Sequence, residues 1–431
     1  MSKLKQILAW LLSVVARAIV WRFKPTIIGV TGSVGKTSTK RAIAAVLALD
    51  KRVRASADSH NNEFGFPLAI IGDWSDKDLR LVSKEAEAGG QKVAKAFFWT
   101  RVLIRGLWLI VLGSRIQYPE VLVLEYGIDR PGDMRKLLRI ARPSIGVVTA
   151  IGDIPVHVEF FAGPEHVARE KAKLIDGLPS SGFAVLNYDD ATVAKMKDRT
   201  RAQVVTFGFG EGAMIRVNGF ENRSDKENPV GVGFKIEYAG SFVPVRLDRV
   251  FGKTQGYAAS AAASVGLIFG MNLVRIADGL ALYRPLGNRM TLREGIKGTW
   301  LIDDSYNAAP LSMSAALETL RELGAKRHVA VLGDMLEIGE FTIEAHEAMG
   351  RLAAKSAHVL FTVGSRAEFI AEGARKAGMK KGAIFSFASA EEARVPVQDV
   401  LKKGDVVLIK ASRAMHLEEI VEEIALPEGI K

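Results

Sequence analysis

Gly32-Ser33-Val34-Gly35-Lys36-Thr37-Ser38 is a run of residues suited to holding phosphate. Its glycines let backbone N–H groups face anionic oxygens. Lys36 has the reach and charge for the outer phosphates, the Thr37 hydroxyl suits a magnesium ion, and Ser38 adds the next hydroxyl. The run follows the apolar, β-branched Ile27–Val30 and opens a helical pattern, whose positive end favours the same anion. The long form of such a loop carries glycine five positions before Gly35, where this chain has Val30. On the residues alone, a variant phosphate loop and a chance glycine turn both remain open.

Other reactive types follow apolar runs. Glu125 ends Val121–Glu125, and an acid at the C-terminal end of a buried parallel strand lies where α/β sheets keep their ligands. It suits a metal or an ordered water, or simply caps the strand. His157 follows a strand-and-turn pattern and Lys171 sits in a charged helical one; alone, each fits a solvated face. "LIDDSYNAAPLSM" places Asp304, Ser305 and Asn307 directly after a strand, as a ligand loop or as a polar turn with a helix cap. Asp334, His346, Lys410 and Arg413 also follow apolar runs.

Positioning these groups requires a frame. Short β-rich runs alternate with helical patterns almost throughout, which predicts parallel sheets with helices on their faces. The first series holds strands at 27–30, 121–125, 145–149, 183–186 and 204–207. Val230–Leu247 alternates like an antiparallel hairpin, and "TQGYAASAAASVGLIFGM" predicts a small-residue helix packed tightly on a neighbour. "YRPLGNRM", 283–290, is a linker, and the boundary is expected near Pro285. A second α/β series follows, with strands at 300–302, 329–332, 359–362 and 406–409.

With 431 residues, two or three domains are expected. The absence of cysteine excludes disulfides, iron–sulfur clusters and thiolate zinc sites, and fits a reducing compartment. A net charge of +11 suits an anionic partner. No basic block interleaved with aromatics forms a nucleic-acid groove, so no nucleic acid is expected, and there is no internal repeat.

Residues 1–24 are apolar and basic. Ala16-Arg17-Ala18 gives them some likeness to a signal peptide, but the phosphate loop begins within ten residues of Arg22. Arg17 interrupts a span, whereas Leu4, Ile7, Leu8, Leu11, Val15 and Ile19 recur at helical spacing. An amphipathic helix is predicted, lying either in a membrane interface or on the protein's own surface. An insertion at about 75–117 has the same character. Peripheral membrane contact through 4–21 and 97–113 is therefore an expectation.

In order along the chain, "VTGSVGKTSTK", "NNEFGFPLAI", "LEYGIDRPGDM", "GFAVLNYDD", "GNRM", "IDDSYNAAPLSM", "VLGDMLEIGEFTIEAHE" and "DVVLIKASRAM" resemble the Mur ligases, the ATP-dependent amide-forming enzymes of peptidoglycan precursor synthesis. The likeness runs from about residue 25 to the end, and its last four motifs are specific to the branch that adds D-Ala-D-Ala. That family uses the shorter loop found here. The resemblance implies a P-loop central ATPase domain with a mostly parallel sheet (25–284), then a Rossmann-like C-terminal α/β domain (285–431). It also implies ATP, Mg²⁺, an acyl phosphate, and transfer of D-Ala-D-Ala to a muramoyl-peptide carboxylate in the cytoplasm, either free there or peripheral at the inner membrane face. A same-fold ligase of polyglutamate or of a lipid-linked intermediate, and a catalytically silent membrane-associated homologue, are the alternatives.

Residue by residue, the likeness gives Thr37 and Glu125 the first Mg²⁺ and His157 the second metal. Lys171 falls at a position that is a carbamylated lysine in many members. Asp304 and Asn307 would meet the nucleotide and Arg289 its phosphates. Asn61 and Asn62 would lie near the acceptor, and Lys410 and Arg413 near the incoming dipeptide. The family's adenine-reading asparagine is replaced here by Ala258, with Gln255 as the substitute. Closure is expected at a hinge near Leu286. The chain has about two dozen residues where the family places a uridine-binding domain of ordinary domain size.

Overall fold

The computed structural model describes residues 3–57, 62–82, 92–113, 117–226 and 228–427. Among these, two sheets form. The first has nine strands: β1 (Thr26–Thr31), β2 (Val53–Ala55), β3 (Val121–Glu125), β4 (Ile145–Val148), β5 (Phe183–Asn187), β6 (Gln203–Gly208), β7 (Ile215–Asp225), β8 (Asn228–Tyr238) and β9 (Ser241–Asp248). Their order is β2-β3-β1-β4-β5-β6-β7-β8-β9. Pairing is parallel from β2 through β7 and antiparallel from β7 to β9.

The burial of each strand follows from its neighbours. β3 and β4 are buried at every position because helices cover both faces, which suits runs of Val, Leu and Ile. β9 alternates buried and exposed residues because one of its faces meets water. β7 has no clean period in the sequence. It carries irregularities between Asn218 and Glu221 and between Arg223 and Ser224, and each shifts the register of its outward residues.

The second sheet holds β10 (Thr291–Gly295), β11 (Thr299–Asp304), β12 (Arg327–Gly333), β13 (Val359–Val363), β14 (Ile384–Phe387) and β15 (Asp405–Lys410). Its order is β10-β11-β15-β12-β13-β14, parallel except for the β10–β11 pair. The expected two-series α/β architecture is present, and the segment before β10 joins the two sheets. Within it, Asn288 and Met290 both take left-handed backbone, at φ 55° each, so the chain turns sharply on either side of Arg289.

The small-residue helix, Lys253–Ile268, packs on Lys36–Leu47, the helix that leaves the phosphate loop. Ala258, Ala259, Ala261, Ala262 and Ala263 are all buried, which brings the two helices close and fixes the loop's helix from behind. At the N-terminus, Lys3–Phe23 is one helix that buries Leu12, Ala16 and Ile19 against Gly65–Ile71 and Lys92–Leu112.

In the second domain, helices Thr342–Ser356 and Glu368–Lys376 touch backbone to backbone. A Cβ on Gly350 would stand 2.0 Å from the Ile370 carbonyl oxygen, and one on Gly373 would stand 2.2 Å from that of Glu347. Gly350→Ala must therefore part the helices, and it should cost about 2 kcal/mol of stability. Calorimetry should show a lowered transition for this variant. Gly382→Ala, which meets open space, should leave the transition in place.

Candidate active site

The site begins with the pairing of β1 and β3. In that register Val30 lies opposite Glu125, so the strand-end carboxylate stands beside the start of the phosphate loop. The Thr37 hydroxyl donates to Glu125 Oε2 at 3.0 Å, and Lys40 Nζ lies 3.3 Å from the same oxygen. Burial alone would raise the Glu125 pKa. Lys40, Lys36, Arg289 and the Thr37 hydrogen bond outweigh it and hold the carboxyl below its usual range. It is an ionised, buried carboxylate with a hydroxyl beside it, the hard-oxygen chemistry that Mg²⁺ takes.

The loop itself is held rigidly. Gly32 has φ 145°, and a Cβ there would fall 2.0 Å from Thr149 Oγ1; Gly35 is left-handed at φ 85°. The N–H groups of Ser33 and Val34 both donate to the Ala150 carbonyl, at 2.6 and 3.1 Å. Thr149 Oγ1 lies 2.6 Å from the Val34 carbonyl and 3.1 Å from that of Thr31. The loop's own early N–H groups are thus committed to the β4 end. An anion would instead be met by the first turn of Lys36–Leu47, where helix N–H groups lack intrahelical partners. Ser38 is buried in that turn, and Ser33 Oγ is buried with no hydrogen-bond partner among the described residues. An orphaned hydroxyl, a cradle open only to glycine and the half-buried Lys36 fit a nucleoside triphosphate.

Lys171 is buried and donates from Nζ to the Gly32 carbonyl at 3.0 Å. Burial, then the charge of Lys36, pushes its pKa well below that of a free lysine. Lys36 is lowered as well, chiefly by burial. Lys171 is therefore far from the solvated position that its helix suggested.

His157 lies at the seam between the domains, with left-handed backbone at φ 71°. Its Nε2 is 3.4 Å from Asp129 Oδ1 and its Nδ1 is 2.5 Å from Glu337 Oε2 of the second domain. The latter is a close approach that does not make a hydrogen bond. Among the described residues, no group of three or more His, Asp and Glu gathers as a ready-made metal cluster.

Across the seam, the Arg289 guanidinium lies 3.8 Å from the centre of the Tyr306 ring, and Arg413 lies 5.1 Å from it. The field of Arg289 acts on both Lys36 and Glu125, so the linker arginine faces the phosphate loop. Asn62 caps the helix Gly65–Ile71, its Oδ1 accepting from Phe64 and Gly65 N–H. Asn61 lies outside the described residues.

Two of the expected binding residues are enclosed in the fold. Lys410 is not open to an incoming carboxylate. It is buried at the end of β15, paired with Asp304 Oδ2 at 2.6 Å and donating to the Asn307 carbonyl at 2.8 Å. It instead holds together the loop that follows β11, while Asp304 also accepts from Met290 N–H. Gln255 is not presented to a base either: it is buried between helices, with Oε1 accepting from Tyr283 Oη at 3.2 Å.

Lys40, Thr149, Tyr306 and Glu337 were not among the sequence candidates. Lys40 carried a signal, since it lies one helical turn beyond Lys36 on the face that meets β3. The other three depend on strand order and domain docking, which leave no local mark.

Comparison with known proteins identifies the fold. The family described as Mur ligase middle domain matches residues 111–265, and the one described as Mur ligase, glutamate ligase domain, matches 288–413. The chain is 29% identical over 413 residues to the UDP-N-acetylmuramoyl-tripeptide–D-alanyl-D-alanine ligase of Bacillus subtilis, covering 95% of this chain and 78% of that one. It is 32% identical to the Mycobacterium leprae enzyme of the same name, covering 92% and 73%. It superposes on the crystal structure of the MurF ligase from Thermotoga maritima in complex with ADP with a TM-score of 0.76 and 26% identity, covering 96% and 83% of the two chains.

Behind the second-domain face of the site, His346 is buried and fixes the loop after β12. Its Nε2 accepts from Met335 N–H at 2.9 Å, and its Nδ1 lies 2.6 Å from the Thr342 carbonyl. Burial lowers its pKa from 6.5 to about 4. The unfolded chain binds a proton between those values and the folded chain does not, so stability is lost as pH falls from about 6.5 towards 4. At pH 5 the loss should be about 2 kcal/mol. His346→Gln should flatten that acid dependence, as followed by thermal unfolding at pH 5 and 7.5.

Proposed function

Because the chain belongs to the Mur ligase family, we propose that it joins D-Ala-D-Ala to the terminal carboxylate of a muramoyl-tripeptide precursor at the expense of ATP. It is an ATP-dependent carbon–nitrogen ligase of peptidoglycan synthesis. The observation that carries the reading is the Thr37–Glu125 pair beside Lys36, faced by Arg289 from the linker. The relatives' names support this acceptor and donor over polyglutamate. The intact loop, acid and lysine speak against a silent homologue.

The reaction separates into two steps. The acceptor carboxylate attacks the γ-phosphorus of ATP, forming an acyl phosphate and ADP. The amine of the dipeptide then attacks the acyl carbon, and phosphate leaves. Both steps concentrate negative charge, so catalysis rests on positioning and neutralisation. Lys36 neutralises the transferred phosphoryl group from the first domain. Arg289 reaches it from the linker, so it acts only when the second domain is docked. Asp304 and Asn307, held by Lys410, shape the nucleotide side of the seam. On this reading Asn62 serves the acceptor, and Arg413 serves the dipeptide carboxylate.

Mg²⁺, held by Thr37 and Glu125, would polarise the phosphate oxygens when bound. As a carbamate, Lys171 would offer anionic oxygen donors to a second metal. Its buried, readily neutral amine can add CO₂, losing one proton and gaining an anionic carboxylate next to the Gly32 carbonyl it now bonds. The enzyme works in the cytoplasm, where ATP is supplied, with peripheral contact at the inner membrane face.

ADP release with Mg²⁺-ATP, D-Ala-D-Ala and UDP-muramoyl-tripeptide tests the reading, and absence of acceptor-dependent release overturns it. An acceptor lacking the uridine diphosphate, compared in the same assay, shows whether the nucleotide handle is read. Lys36→Ala and Glu125→Gln should each lower the rate by about 10²-fold or more. Lys171→Ala should do the same, and the wild-type enzyme in CO₂-free buffer should regain activity on adding bicarbonate. Full activity of Lys171→Ala would exclude the carbamate.

A further inference from the structure

The helices Lys3–Phe23 and Lys92–Leu112 lie side by side and parallel. A Cβ on Gly106 would stand 2.3 Å from Val15 Cγ1, and seven residues further along each helix Gly113 faces Arg22 and Phe23. Their inner faces are buried, through Leu12, Ala16 and Ile19 on one and Phe98, Val102 and Leu109 on the other. Their outer faces are apolar too. Leu4, Ile7, Val14 and Trp21 form a stripe along the first, joined by Trp10, while Phe97, Ile104, Trp108 and Val111 do so along the second. Trp10 is 64% exposed, Trp21 77%, Phe97 70% and Trp108 60%. Helices that are apolar on both sides are expected where the outer side meets a second apolar phase.

Charge indicates which phase. The two helices contain eight lysines and arginines and no aspartate or glutamate. Lys3, Lys5, Arg17 and Arg22 are exposed along the first, beside its tryptophans. A cationic fringe around exposed tryptophan is complementary to a lipid surface, with indole rings at headgroup level and ammonium and guanidinium groups on phosphate. The first helix is long and apolar enough to cross a bilayer by length and composition. Its inner face, however, is committed to the protein, and so is that of its partner, which leaves each helix only one side to offer. That geometry suits helix axes lying in the plane of the interface.

Resting on the cytoplasmic placement above, we propose that the outer face of this helix pair docks the protein on an anionic phospholipid bilayer. Insertion of Trp10, Trp21 and Trp108 supplies the apolar attachment, and the basic residues supply the preference for negative headgroups. Docking does not depend on which acceptor the ligase takes.

Vesicle flotation of the full chain tests this, comparing phosphatidylcholine alone with phosphatidylcholine carrying about one-third phosphatidylglycerol. Partition should be at least tenfold stronger on the anionic vesicles and should weaken with salt. Brominated lipid should quench tryptophan emission. Trp10→Glu combined with Trp108→Glu should lower partition at least tenfold while leaving ADP release without vesicles unchanged, which shows that the fold is intact. Equal partition of wild type and double variant, or no flotation on anionic vesicles, overturns the proposal. So does a dimer in light scattering that the double variant dissolves while neither protein floats, since that assigns the face to a second copy. Flotation without any acceptor-dependent ADP release would overturn the ligase reading alone.

Discussion

A buried negative charge organises the first domain. Glu125 is ionised inside the protein only because Lys40, Lys36 and the Thr37 hydroxyl surround it. An unpaired carboxylate at that depth would cost several kcal/mol and would protonate instead. The parallel pairing of β1 with β3 brings the acid to the loop, and the Lys36–Leu47 helix brings both lysines. That helix is in turn fixed by the alanine-rich face of Lys253–Ile268. Strand order, helix packing and phosphate loop are thus mutually dependent, and a shift in any one strands a charge.

The second domain completes what the first cannot. Arg289 projects from a linker turned on both sides by left-handed residues and rests on the Tyr306 ring. Lys410 secures the loop that carries Tyr306 by pairing with Asp304, and His346 secures the neighbouring loop as a neutral acceptor. His157 and Glu337 meet from opposite sides of the seam. The residues of the candidate site are therefore drawn from both sides of the seam.

The helix pair at the N-terminal side stands apart from this chemistry. Its inner face joins the core beneath β3 through Gly65–Ile71, while its outer face presents tryptophan and basic residues. One surface anchors the pair to the catalytic domain, and the other is free of acidic residues along both helices.

The sequence by itself determined the two α/β series, the glycine-rich loop after the first strand and the strand-end acid, because these are local: periodicity, glycine spacing and short apolar runs record them directly. It missed β7, whose bulges erase the period of two, and it left Lys171 looking like a solvated helical residue. Only the tertiary structure decided that Lys171 is buried against the Gly32 carbonyl. The same holds for Lys410 being spent on Asp304 and for Gln255 being enclosed between helices. Burial and charge pairing depend on residues 100 or more positions away, such as Lys410 and Asn307 or Lys171 and Gly32. No local pattern of residue types can encode a partner at that distance.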